Sequence, residues 1–147
     1  MLLKIVTVIL SIALGFSVQA EECSLSISGS DMMQFDKTIL EVGSECTGAK
    51  ITVRHSGSLA KNMMGHNVVI VATENFDSVI ASISMEAGLE NGYLGDNKNI
   101  LLKTIMIGGG EFSEETLDLT KFTKGGDYTF FCSFPGHYAI MKGKFVI

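Results

Sequence analysis

Residues 126–147, GDYTFFCSFPGHYAIMKGKFVI, decide the fold. Two runs rich in Phe, Tyr, Thr, Val and Ile, 126–132 and 141–147, read as β-strands. Between them Phe134-Pro135-Gly136 reads as a loop, because Pro presets its φ and Gly reaches conformations closed to other residues. A strand, a short loop and a returning strand bring Cys132, His137 and Met141, all within ten residues, to where they can turn toward one point. They offer a thiolate, an imidazole and a thioether, a soft ligand set that suits copper, above all Cu(I). A metal held there would bridge two strand ends.

The strand signature recurs along the chain. Leu25 and Ile27 alternate with serines, Ile51 and Val53 with Lys50, Thr52 and Arg54, and Leu117 and Leu119 with Thr116, Asp118 and Thr120. Residues 32–42, 66–72 and 100–107 are further strand candidates, and glycines at 43, 57, 95, 108–110 and 125–126 punctuate them. Many short strands at this spacing predict an all-β protein, an antiparallel Greek-key sandwich around one core. One stretch departs from period two: Phe76, Val79, Ile80, Ile83 and Ala87 fall on the stripe of an amphipathic helix. One inserted helix is expected, with Glu74 and Asp77 near its positive end and Gly88 placed to stop it.

Residues 1–20, MLLKIVTVILSIALGFSVQA, carry one early positive charge, an apolar run and the small-residue ending Val18-Gln19-Ala20. That is the pattern of a secretory signal peptide cleaved after Ala20, and it predicts export to the periplasm without a membrane anchor. The remainder, 21–147, is the length of one domain. Setting Lys4 aside takes the formal charge from -5 to -6, and a negative, evenly spread charge disfavours nucleic acid as a partner.

Three cysteines in an exported chain leave one thiol over after one disulfide, and Cys23–Cys46, Cys23–Cys132 and Cys46–Cys132 are all open to arithmetic. Taken singly, each candidate has an ordinary explanation: a Met before a strand as core, a His after Pro-Gly as a surface turn, a Cys in a strand as buried filling. Together they have to account for a thiol that would otherwise be liable to oxidation, and ligation of a metal by Cys132 does so. A blue-copper centre needs a second imidazole, from His55 or His66. His55 shares strand parity with Ile51 and Val53, so a satisfied core histidine is its default. His66, in MGHN at the mouth of the next apolar strand, is the preferred ligand.

Through NMMGHN (62–67) and FFCSFPGHYAIMKG (130–143) the chain resembles the azurins, the bacterial branch of the cupredoxin family of type 1 blue copper proteins. The likeness runs along essentially all of 21–147, including ECS (22–24), MQFD (33–36) and GLENGYL (88–94). It implies a cupredoxin-like domain with one copper ion held by His66, Cys132 and His137, with Met141 and the Gly65 carbonyl as distant axial partners. It implies a Cys23–Cys46 disulfide. Asn67 resembles the asparagine that ties the two ligand loops together, and the Phe134 amide resembles a donor to the Cys132 sulfur. Met33, Leu59, Met64, Phe134, Gly136 and Ala139 are implied to form an apolar docking surface around His137; core packing is the alternative for each. Two departures stand out. Val68 occupies a place where the family carries an aromatic residue, and with no Trp in the chain this predicts an aliphatic core. The segment HSGSLAKN (55–62) lacks the family's loop prolines, which puts that loop's rigidity in question.

The implied function is one-electron transfer between redox proteins, such as c-type cytochromes or periplasmic reductases, by a monomer that is not an enzyme. A buried His55 near His66 could titrate and tune the potential. The alternatives are a copper carrier or storage module, and a copper enzyme such as a nitrite reductase. The enzyme needs more imidazoles than three histidines can supply. No G-x-S-x-G elbow or P-loop is present, and Gly108-Gly109-Gly110 reads as a hairpin turn.

Overall fold

The computed structural model describes residues 21–147. The expected signal peptide, 1–20, lies outside the described residues. The order of elements is β1 (Glu21–Ser30), β2 (Gln34–Phe35), β3 (Ile39–Glu41), β4 (Cys46–His55), α1 (Lys61–Met64), β5 (Val69–Ala72), α2 (Phe76–Ile80), β6 (Ile100–Lys103), β7 (Phe112–Leu117), β8 (Tyr128–Phe131) and β9 (Lys142–Val146). The strands form two sheets, ordered β2-β1-β4-β7 and β3-β9-β8-β5-β6. The all-β sandwich with a helical insertion is therefore as expected.

Alternation works as the sequence implied. Leu25 and Ile27 on β1 stand opposite Ile51 and Val53 on β4, and all four point into the space between the sheets. Ile70, Phe130 and Phe145 meet them from the second sheet, with Val68 just before β5. At an order of 2 kcal/mol for each large apolar side chain removed from water, this one layer is the main favourable term of the fold. The core is not purely aliphatic, which corrects the expectation drawn from Val68. Phe122, Tyr128 and Phe145 pack ring against ring at 5.0–6.2 Å.

Three other expectations need correcting. The sheets are mixed, because β1 pairs β4 in parallel and β3 pairs β9 in parallel. The candidate strand 32–42 loses its start to a turn at 31–33, in which Met33 adopts φ 53, and is broken again at 36–38, leaving β2 and β3 as short edge strands. The helical stripe also runs on past its helix. α2 ends at Ile80, because the Ser82 hydroxyl donates to the Val79 carbonyl at 2.7 Å and the Ser82 amide does so at 3.0 Å, taking the acceptor that Ile83 would use in an α-helix. Gly88, at φ 78, starts a 3-10 turn over Leu89–Asn91 and does not cap the helix. The apolar stripe still serves: Phe76, Val79, Ile80 and Ile83 cover Val69, Val71 and Phe131 on the outer face of the five-stranded sheet. This explains why β5 is apolar at successive positions, since both of its faces are buried. A second short helix, α1, was not expected; it lies in the connection between β4 and His66.

Cys23 and Cys46 form a disulfide near the start of β1 and β4, with Cα atoms 5.8 Å apart. Cys132 is free and buried.

Candidate metal centre

The other end of β1 and β4 holds the donors. Gly29 lies opposite His55 in the parallel register, and the missing side chain there makes room for His66: a Cβ on Gly29 would come within 2.6 Å of the His66 ring. The His66 ring stacks on His55, with centroids 4.3 Å apart and planes 16° from parallel. A two-way backbone bridge to Ile107 fixes the main chain of His66. Its Nε2–H donates to the Ser30 carbonyl at 2.9 Å, which turns Nδ1, with its lone pair, toward Cys132.

Cys132 follows the last residue of β8, and its amide donates to the Met141 carbonyl, so the loop 133–140 closes like a hairpin. Within the loop Gly136 sits at φ 85, a conformation glycine adopts without strain, and a 3-10 turn over His137–Ala139 points the His137 ring back over the sulfur. The Phe134 ring lies 4.4 Å from the His137 ring and is itself met edge-on by Tyr93.

The donors converge. Cys132 Sγ lies 4.0 Å from His66 Nδ1 and 3.7 Å from His137 Nδ1, and the three ligand atoms fall within 4.8 Å of one another. Metal–nitrogen and metal–sulfur bonds of about 2.0 and 2.3 Å in a trigonal plane require a nitrogen-to-sulfur spacing of about 3.7 Å, so the triangle is the size of a metal site. The Gly65 carbonyl oxygen is 3.8 Å from the same sulfur. Gly65 has to be glycine for packing reasons, since a Cβ would run into the Lys61 carbonyl and Met106. Met141 is fully buried beside this group.

The electrostatics agree with the distances. Burial pushes the Cys132 thiol up to about 11, against the pull of the Asn67 and Phe134 backbone N–H groups that point at the sulfur. Burial, and then the neighbouring His66 and His55 rings, pull the His137 imidazole down to about 4. Burial likewise lowers His66. Both rings are thus neutral with free lone pairs at ordinary pH, while the thiol needs a nearby cation to ionise. Two neutral imidazoles, one thiolate and a thioether fit copper.

His55 is buried as its parity implied, and it is not among the converging donors. Its Nδ1 accepts from the Gly57 amide at 3.0 Å, so Nε2 carries the hydrogen and donates to the Met64 carbonyl at 2.7 Å. Asn67 joins the segment after His66 to the one after Cys132: its Oδ1 accepts from the Ser133 amide at 2.9 Å, and its Nδ2 donates to Ser133 Oγ at 2.9 Å. Two residues escaped the sequence reading. Ser133 Oγ passes the tie on to the Gly92 carbonyl at 2.6 Å. Asp31 accepts from the Ser58 and Leu59 amides at 2.8 and 3.3 Å. That carboxylate holds the proline-free loop, and Gly57 leaves room for it, since a Cβ there would strike Asp31. A serine or aspartate in a polar stretch carries no signal of such partners.

Of the six residues expected at the docking surface, Met33, Gly136 and Ala139 are exposed and Leu59, Met64 and Phe134 are half-buried. Their neighbours Met32, Met63 and Ile140, absent from that set, are 73, 64 and 59% exposed.

Comparison with known proteins agrees with this geometry. The family model of copper binding proteins, plastocyanin/azurin family, matches residues 21–147. The azurin of Bordetella pertussis is 46% identical over 133 residues, covering 89% of this chain and 87% of that one. The azurin of Pseudomonas aeruginosa is 38% identical over 148 residues, covering 100% and 99%. Among solved structures, the azurin iso-2 of Methylomonas sp. strain J superimposes with a TM-score of 0.79 at 28% identity, covering 84% of this chain and 96% of that one. The chain belongs to the plastocyanin/azurin family of copper-binding proteins and is a blue copper electron-transfer protein.

Proposed function

We propose that His66 Nδ1, Cys132 Sγ and His137 Nδ1 hold one copper ion, with Met141 and the Gly65 carbonyl as weak axial partners, in a monomeric single-domain protein (21–147) that shuttles electrons in the periplasm. The convergence of three buried donor atoms within 4.8 Å carries this reading. When bound, the copper supplies the one-electron step by alternating between Cu(II) and Cu(I). The chain's part is to keep the donors still. His66 is clamped by its hydrogen bond to Ser30 and by the His55 ring, and Cys132 by its amide's bond to the Met141 carbonyl and by the Asn67 backbone N–H at its sulfur. A site that barely moves between charge states has little reorganisation to undergo.

A carrier that hands over its metal would favour open, mobile donors, whereas His66, Cys132 and His137 are at most 3% exposed. A second, catalytic copper would need further imidazoles, and both ring nitrogens of His55 are engaged. In this reading Met33, Leu59, Met64, Phe134, Gly136 and Ala139 form an apolar surface around His137, where Phe134 packs on the ring, and it would dock redox proteins such as c-type cytochromes through brief, weakly held complexes. The apolar run and Val18-Gln19-Ala20 ending of residues 1–20, together with the disulfide, support export and cleavage after Ala20.

The test is an absorption spectrum of the copper-loaded protein during titration with a reductant. A strong band toward the red that bleaches and returns over many cycles without loss of metal is expected. A colourless copper complex, or one that releases copper on reduction, would overturn the reading.

A further inference from the structure

We propose that the exposed thioethers of Met32 and Met63 are sites of oxidation by hydroperoxides, and that their conversion to sulfoxides weakens docking at the metal end of the protein. The proposal rests on the docking role given above to that end.

The described methionines differ widely in exposure: Met32, Met63 and Met85 are 73, 64 and 72% exposed and Met33 37%, whereas Met106 and Met141, beside the donors, are 4 and 0% exposed. Met85 belongs to the segment between α2 and the turn at Leu89, which leaves Met32 and Met63 as the most exposed pair next to the donor-holding segments. Hydrogen bonds fix where the exposed pair sits. Met32 lies in the turn after β1, next to Ser30, whose carbonyl holds His66. Met63 lies on α1, which runs directly into Gly65, whose carbonyl is 3.8 Å from Cys132 Sγ. The Asp31 carboxylate bonds the first turn to the loop that precedes α1, so both thioethers border the segments that enclose the metal donors.

The chemistry is a two-electron oxygen transfer. A lone pair on Met Sδ attacks the terminal peroxide oxygen, the O–O bond breaks, and the departing hydroxide or alkoxide takes a proton to leave as water or alcohol. Sulfur is oxidised to the sulfoxide and the hydroperoxide is reduced. Thioether accessibility controls this attack, and the product replaces a pliable apolar group with a strongly polar S=O. An apolar interface that closes over such an oxygen without a donor for it loses affinity. The buried Met141 stays reduced, so the metal site survives a modification that alters its surroundings.

The test treats the copper-loaded protein with hydrogen peroxide, maps sulfoxides by peptide mass spectrometry, and measures electron self-exchange between its oxidised and reduced forms. Met32 and Met63 should oxidise at least about tenfold faster than Met106 and Met141. Self-exchange should then fall about tenfold while the visible band keeps its position. In a Met32→Leu/Met63→Leu variant, the ratio of the rates after and before peroxide should stay near one, whatever its starting rate. Equal oxidation of buried and exposed methionines, an unchanged rate in the oxidised protein, or an equal loss in the leucine variant would overturn the proposal. Met63→Glu in unoxidised protein separates the two claims. If it slows exchange and the sulfoxide does not, the oxidation proposal alone fails. If neither slows it, the docking role fails as well.

Discussion

The paired strands β1 and β4 are secured by opposite means at their two ends. Near the start, one covalent bond joins Cys23 to Cys46. At the far end, six residues on from Cys23, nothing covalent holds the pair; Gly29 faces His55, and His66 wedges against both. The disulfide end is closed chemistry, with both sulfurs spent on stability. The donor end is open chemistry, with a sulfur and two ring nitrogens kept unspent by hydrogen bonds that engage everything around them. A cysteine thus has two fates in one domain, and what decides between them is whether a second sulfur or a pair of imidazoles lies within reach.

If the ends are independent in this way, breaking each should have its own signature. Replacing Cys132 by Ser should remove the visible thiolate-to-copper band altogether, the largest effect expected, while near-UV circular dichroism reports an unchanged core. Survival of the band would mean that the sulfur is not a ligand. Replacing Cys23 and Cys46 together by Ala should cost about 3 kcal/mol in denaturant unfolding, from the loop entropy released by a 23-residue separation. The band should keep its wavelength, since the crosslink is about 20 Å of strand away from Gly29. A shifted band would show the ends to be coupled.

A smaller effect probes the wedge itself. Gly29→Ala places a methyl group 2.6 Å from a His66 ring that can yield neither toward His55 nor away from Ser30. A stability loss of about 1–3 kcal/mol with a displaced absorption band is expected. Full stability with an unmoved band would show that the ring has more room than its contacts imply.

The donor end was more legible in the sequence than the framework that holds it. Cys132, His137 and Met141 stand out because soft ligands at loop spacing are chemically unusual, and His66 because a loop-end imidazole was needed. Strand parity placed Ile51, Val53 and His55 correctly, since alternation is a local property. The parallel pairings of β1 with β4 and β3 with β9 depend on which distant strand lies alongside, and no local pattern encodes that. The end of α2 at Ile80 turned on Ser82, whose hydroxyl and amide together occupy the Val79 carbonyl. Met63 and Met64 look alike in sequence; only the packing of α1 exposes one and half-buries the other.

The smallest expected effect concerns the loop that lacks prolines. Rigid backbone at residues 56–60 could come from ring constraints or from an outside acceptor, and here Asp31 is the acceptor for two successive amides and the Ser58 hydroxyl. The Ser58 amide bond is the main reason its carboxyl titrates below the ordinary carboxylate range. The sign follows from that. A lowered folded-state pKa means that the unfolded chain takes up the proton first as pH falls, so the tie is complete above pH 4 and is lost as pH drops through the lowered value. Asp31→Asn removes the charge and one acceptor at any pH. Amide hydrogen exchange at Ser58 and Leu59 should then quicken near neutrality, with the band and the His66 contacts untouched. The same acceleration should appear in the unaltered protein only in acid. If exchange at these two amides is unchanged in the variant, the loop draws its rigidity from its other backbone bonds, Ser56 to Gly29 and Gly109 to Leu59, and the donor end is held more redundantly than the single crosslink at its opposite.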